Sequence, residues 1–224
     1  MTRLAIFDCD GTLVDSGHSI HTALSETFAA HDRAVPPRVE AQRVIGLSLT
    51  EAMAFLAPDA DDIEHERMAS TYRDAFVDLR RRGAVAEPLF EGIAPLLDAL
   101  TADGWLLAIA TGKSDRGLHH CLTANQLLDR FVSLQTADRH PSKPDPSMAL
   151  EAMMEAGATP EQSVVIGDTG WDMGMARAAG AHAVGALWGY HDGAELQRAG
   201  AHALARDPAE VHDLMNRLIA QAAE

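Results

Sequence analysis

The apolar positions of the chain fall into two regimes. Near the start, Leu4-Ala5-Ile6-Phe7 is an unbroken apolar run, too short for a helix and without polar alternation, as in a strand covered on both faces in a parallel sheet. From Ser16 to about Gly83 the spacing becomes helical: Ile20, Leu24 and Phe28, then, past the break at Pro36-Pro37, Met53, Phe55 and Leu56, and lastly Met68, Tyr72, Phe76 and Leu79. This stretch predicts a small helical bundle. It is closed by Arg80-Arg81-Arg82-Gly83 and the turn-rich passage Pro88 to Gly92, and the three arginines read as surface residues complementing a helix dipole.

After Gly92 helix and strand periods alternate. Helices are expected over Ile93 to Asp103, Ser114 to Asn125, from Pro146 to the stop at Gly157, over Trp171 to Ala179 and over Pro208 to Ala222. Strands are expected over Leu106 to Ala110, Phe131 to Thr136, Ser163 to Ile166 and Ala183 to Leu187. Asp145 is placed as N-cap with Pro146 at the first helical position. Alternation of this kind predicts an α/β fold with a doubly wound parallel sheet. Residues 1–15 and 84–224 would form that core, with 16–83 inserted as a helical domain. The last four residues, Gln221 to Glu224, are expected to fray.

Composition narrows the partners. At 224 residues and 47% apolar, the chain can bury a full core. Its 18 basic and 33 acidic side chains leave a net charge of −15, which repels nucleic acid and anionic membranes and favours a cation wherever an anion is handled. No apolar run approaches the ~20 residues of a membrane span. Cys9 and Cys121 stand far apart without ligand spacing, so no disulfide framework or zinc site is indicated and a reducing cytoplasm is the expected location. The pair His119-His120 makes a poor chelate, since neighbours on a helix diverge by about 100°.

Ligands of parallel sheets bind beyond the carboxyl ends of the strands, and each strand here ends in polar chemistry. The first run delivers Asp8-Cys9-Asp10-Gly11-Thr12, in which Gly11 permits a turn so that two carboxylates converge while keeping different environments. The next ends in Thr111-Gly112-Lys113-Ser114, either a phosphate-binding hydroxyl with an open backbone N–H or a helix cap. Ser142-Lys143-Pro144-Asp145-Pro146 holds one lysine in a stiffened turn. Gly167-Asp168-Thr169-Gly170-Trp171-Asp172 places two more acids at a strand-to-helix turn, where Asp172 also reads as a helix-start acid. Trp188 to His191, after the last strand, reads as packing at the sheet edge.

Asp8 to Ser16, "DCDGTLVDS", resembles the DxDGT(L/V)xDS signature of the haloacid dehalogenase-like hydrolases. Thr111, Lys143 in a KPxP-like turn, and Asp168 with Asp172 match the family's remaining motifs in order, so the resemblance spans the chain. It implies a Mg²⁺-dependent phosphatase with Asp8 as nucleophile, Asp10 as acid and base, Thr111, Gly112 and Lys143 on the phosphate, and Asp8, Asp10, Asp168 and Asp172 around the metal. The inserted helices match the position of the family's C1 cap, which is most similar to the subgroup of phosphoglycolate phosphatases and β-phosphoglucomutases. A small phosphorylated metabolite is the implied partner, 2-phosphoglycolate first and short sugar phosphates next, with the enzyme a monomer or homodimer. Arg43, ahead of Gly46 in the cap, is expected to clamp a substrate carboxylate. A sugar-phosphate mutase, a 2-haloacid dehalogenase and a receiver-like phospho-acceptor module remain as alternatives.

Overall fold

A computed structural model of the chain describes residues 2–222. Strand β1 (Arg3–Phe7) is followed by four helices, α1 (Gly17–Ala30), α2 (Arg38–Arg43), α3 (Leu49–Leu56) and α4 (Asp62–Arg81). Alternation then begins with α5 (Ile93–Ala102), β2 (Trp105–Thr111), α6 (Asp115–Ala124), β3 (Ser133–Thr136), α7 (Ser147–Ala156) and β4 (Ser163–Gly167). It ends with α8 (Gly170–Ala178), β5 (His182–Ala186), α9 (Gly193–Arg198), β6 (Ala203–Ala205) and α10 (Pro208–Ala222). All six strands pair in parallel, in the order β3-β2-β1-β4-β5-β6. The order reverses beside β1, which puts the ligand-binding crevice of such a sheet at its carboxyl end.

The unbroken apolar strands serve two faces at once. Ala5 and Phe7 of β1 join Leu107, Ile109, Val164 and Ile166 in one core, under α5, α6 and α10. Leu4 and Ile6 join Ala108, Ala110 and Val165 in the other, under α7 and α8. The second face is rich in alanine and methionine, which lets its helices lie close to the sheet. Between β1 and α5 the helices α1, α3 and α4 pack around their own cluster, with Met53 and Met68 fully buried. The two segments that join this bundle to the sheet pair with each other: Asp15 N–H donates to the Pro88 carbonyl and Phe90 N–H to that of Leu13.

Differences from the sequence reading lie at short elements and boundaries. Helix α9 and strand β6 were not expected; six and three residues are too few for a period to register. Strand β3 begins at Ser133, because Phe131 is spent on the core and follows a single 3₁₀ turn. Helix α7 begins one residue late, with Pro146 at the N-cap position. Asp145 still plays a capping part, its Oδ1 accepting from Ser147 N–H at 2.9 Å. Gly157 ends α7 in the left-handed conformation at φ 64°, as its placement implied. Cys9 and Cys121, distant in sequence, are buried free thiols with sulfurs 3.8 Å apart. Of the residues expected to fray, Gln221 and Ala222 close α10, whereas Ala223 and Glu224 lie outside the described residues.

Two substitutions separate backbone from packing. A Cβ on Gly157 would meet nothing within 4 Å, so Gly157→Ala is expected to cost only the left-handed strain, about 1 kcal/mol. Leu97→Ala empties a fully buried position and is expected to cost about 2–5 kcal/mol. Urea unfolding measures both, as shifts in midpoint at constant slope.

Candidate active site

Strand register gathers the predicted side chains at one edge of the sheet. Phe7 lies opposite Ile109 on one side and Ile166 on the other, so the residues leaving β1, β2 and β4 emerge together. Asp8 N–H still donates to the Ile166 carbonyl at 2.9 Å. The chain then turns at Gly11, with φ 83°, and both Leu13 and Val14 N–H return to the Cys9 carbonyl. That turn sends Asp8 and Asp10 into separate surroundings.

Asp8 lies in a buried cluster with Asp168 and Asp172, each offering an oxygen within 4.8 Å of the others. Lys143 reaches into it, fully buried, with Nζ 2.9 Å from Asp8 Oδ1 and 2.6 Å from Asp172 Oδ1. Asp168 is fixed by two donors, Thr12 Oγ1 at 2.8 Å and Tyr190 N–H at 2.9 Å. Room for it depends on two glycines: a Cβ on Gly11 would lie 2.2 Å from Asp168 Oδ2, and one on Gly189 would lie 2.1 Å from Asp168 Cβ. Asp172 closes a capping box at the start of α8, its Oδ2 accepting from Thr169 N–H and Oγ1. The helix-start role and the cluster role therefore belong to the same carboxylate.

Asp8 Oδ2 accepts no hydrogen bond, and Oδ1 meets only the Lys143 ammonium, at 2.9 Å. Burial pushes the Asp8 pKa up to about 7, with Lys143 opposing and the charges of Asp172 and Asp10 adding to the rise. Burial likewise holds Asp168 well above the ordinary carboxylate value, helped by Asp8 and Asp172. Lys143 is held above its own ordinary value, because Asp172 and Asp8 outweigh the effect of burial. Three buried carboxylates thus face one ammonium, and Asp8 Oδ2 lacks any donor. An all-oxygen donor set short of positive charge fits a hard divalent cation such as Mg²⁺.

Asp10, expected among the metal ligands, stands outside this group. Its Oδ1 meets Lys113 Nζ at 2.9 Å and accepts from Ser16 Oγ, while Lys113 also reaches Glu87 Oε1 at 2.6 Å. Spacing of two residues places a second carboxylate nearby but does not aim it; Lys113 and Ser16 draw it away. Burial would lower the Lys113 pKa, but the charges of Asp10 and Glu87 hold it well above its ordinary value. Thr111 ends β2, fully buried, and is not a cap, since Ser114 takes that role for α6 by accepting from Gly117 N–H. Gly112 follows it where the cap comes down: a Cβ there would lie 2.5 Å from the Leu47 carbonyl oxygen.

Arg43 is also corrected. It is exposed at the end of α2 and contacts α8 only through its carbonyl, which accepts from Trp171 Nε1 at 3.1 Å. Ala41, Val44 and Ile45 form the inward stripe of this segment, so Arg43 falls on the opposite side. The Trp188–His191 stretch is more than edge packing. Trp188 Nε1 donates to the Thr12 carbonyl at 3.0 Å, Tyr190 N–H holds Asp168, and the Tyr190 hydroxyl accepts from Ser16 N–H at 3.2 Å. Lys113 and Glu87 were not foreseen either; the lysine beside the Thr111 motif was their one visible signal.

The family model described as "Haloacid dehalogenase-like hydrolase" matches residues 5–186. The chain belongs to that family. It is similar to the "Probable phosphatase IndB" of Dickeya dadantii (strain 3937), 35% identical over 205 residues, covering 89% of this chain and 87% of that protein. It is 30% identical over 201 residues to a "Phosphoglycolate phosphatase" of Pseudomonas putida KT2440, covering 86% of this chain and 72% of that protein. Among solved structures, a hydrolase from Pseudomonas syringae superposes with a TM-score of 0.84 at 29% identity over 96% of this chain and 99% of its own. The β-phosphoglucomutase of Clostridium difficile, with a TM-score of 0.82 at 16% identity over 99% of this chain and 98% of its own, shares the fold. These relatives place the chain among the phosphoric monoester hydrolases of the family, and no helix among the described residues is long and apolar enough to cross a membrane.

The raised Asp8 pKa gives metal binding a pH signature. Without metal, native Asp8 holds its proton up to about pH 7 while the unfolded residue releases it near 3.8, so stability from this group falls as pH rises through that window. A bound cation requires the charged form. The rise in Tm on adding Mg²⁺ over EDTA is therefore expected to be small near ~pH 5 and largest near ~pH 8. Calorimetric scans in paired buffers measure it; a rise that is equal at both pH values excludes a metal on Asp8.

Proposed function

We propose that the protein is a Mg²⁺-dependent phosphatase that hydrolyses a small phosphate monoester through an aspartyl-phosphate on Asp8, with residues 16–83 acting as a cap over the 1–15 and 84–224 core. One observation carries this reading: Asp8 is buried among Asp168, Asp172 and Lys143 with no donor but the Lys143 ammonium, its Oδ2 meeting none. A structural carboxylate would be satisfied at that depth.

Asp8, Asp168 and Asp172 would hold the metal. Bound there, it offsets the charge of the carboxylates and of a phosphate dianion. Asp8 attacks phosphorus, the P–O bond to the leaving group breaks, and Asp10 gives that oxygen its proton. Water then attacks phosphorus of the acyl phosphate, losing its proton to Asp10 and releasing Asp8. The two acids stand in separate surroundings, Asp8 beside Lys143 in the carboxylate cluster and Asp10 between Lys113 and Ser16. Lys143 steadies the attacking carboxylate and an equatorial phosphoryl oxygen as a point charge. Thr111 and the Gly112 N–H, at the same sheet edge, suit the remaining oxygens. The relatives' names make 2-phosphoglycolate the reference substrate, while the outward position of Arg43 withdraws the carboxylate clamp expected of it.

Asp8→Asn fills the same space but cannot attack, so kcat should fall by about 10³-fold or more with cooperative melting retained. Substantial residual turnover in the purified variant excludes Asp8 as nucleophile. Asp10→Asn should depress alkyl phosphates about 10²-fold further than p-nitrophenyl phosphate, whose leaving group needs no proton. Equal losses on the two classes exclude the acid role.

A further inference from the structure

The space above Asp10 is far larger than the reaction itself requires. A cavity of about 550 Å³ lies between α1, α3 and α4 and the sheet edge, with Asp10, Gly112 and Lys113 at its floor. That volume falls in the range of about 300–1,000 Å³ that holds ligands of drug size. It persists with the cap already seated, because the Leu47 carbonyl lies against Gly112, Ser48 N–H donates to Ser142 Oγ at 2.8 Å and Trp171 reaches the Arg43 carbonyl. No further approach is left on that side to squeeze it out.

Its walls are apolar. Ile20, Leu24, Met53, Tyr72 and Phe76 line it from the cap. On α4, Met68, Tyr72 and Phe76 form one stripe at a spacing of four; the first two are buried, whereas Phe76 is only half buried because the stripe runs on into the cavity. The Phe76 ring lies 5.8 Å from Tyr72 and within 5.9 Å of Lys113 Nζ, so an aromatic wall stands directly over the ion pair of Asp10. Charged side chains complete the lining: Arg73, Arg81 and Arg116 with Asp74 and Asp138, and Arg80, which is paired with Glu87 at 3.2 Å. A two-carbon acid would sit at the floor and leave the walls wet.

We infer that the preferred substrates are phosphate monoesters whose leaving group carries an apolar body of ring size, packed against Ile20, Tyr72 and Phe76, and that phosphoglycolate is a poor substrate by comparison. The inference rests on the phosphatase reading above. Binding the body contributes at the cap, remote from phosphorus, so discrimination is read in kcat/KM among esters of equally poor leaving groups.

The test compares 2-phenylethyl phosphate with ethyl phosphate and phosphoglycolate, using p-nitrophenyl phosphate as the measure of competence. The expected result is a kcat/KM for the phenylethyl ester about 10-fold or more above those of the two small esters. Phe76→Ala should reduce the phenylethyl-to-ethyl ratio by about 3-fold or more, chiefly through KM. Ile20→Ala serves the same purpose if the Phe76 variant does not fold. Ratios near one in the wild type, or variants that lower both esters alike, overturn the inference while the phosphatase reading stands. Failure to turn over p-nitrophenyl phosphate overturns both.

Discussion

A buried ammonium among three buried carboxylates is the contact on which the active edge depends. Placing Lys143 at no solvent exposure is tolerable only because Asp8 and Asp172 lie within 2.9 and 2.6 Å of it. The compensation is incomplete, since Asp168 brings a third negative charge into the same space. The protein retains that imbalance by fixing each acid from a different direction. Asp8 is held by the β1–β4 ladder, Asp172 by the first turn of α8, and Asp168 between Gly11 and Gly189 with donors from Thr12 and Tyr190. Such an arrangement costs stability, because three buried carboxylates share a single buried ammonium.

A second lysine makes the chemistry divisible. Asp10 is two residues from Asp8, yet it belongs to a chain of charges running through Lys113 to Glu87. Glu87 lies in the segment that returns the chain from α4 to α5, and that segment is paired to the loop after Asp10 by the Asp15–Pro88 and Leu13–Phe90 contacts. Asp10 is thereby tied to the connection that carries the helical insertion, whereas Asp8 is tied to the sheet.

The strand-end chemistry was legible because a parallel sheet converts order along the chain into position: each apolar run ends at the same edge, so the polar residues that follow must meet there. Two kinds of feature escaped that logic. Directions of side chains beyond the strand were one: Asp10 turned to Lys113, and Arg43 fell outside the stripe set by Ala41, Val44 and Ile45. Contacts without a period were the other. Glu87 carries no motif, Tyr190 acts through its backbone N–H, and the two thiols meet across 112 positions of sequence. Helix α9 and strand β6 were invisible for want of length, and the start of α7 slipped by one residue because Asp145 caps from inside a turn that Pro146 does not join as helix.

The seat of the cap joins these parts. Backbone touches backbone where Gly46 and Leu47 lie over Gly112, an approach no side chain at position 112 would permit. The remaining anchors come from the loop that bears Lys143, through Ser142, and from the helix that bears Asp172, through Trp171. The cap thus rests on the same segments that aim the buried charges.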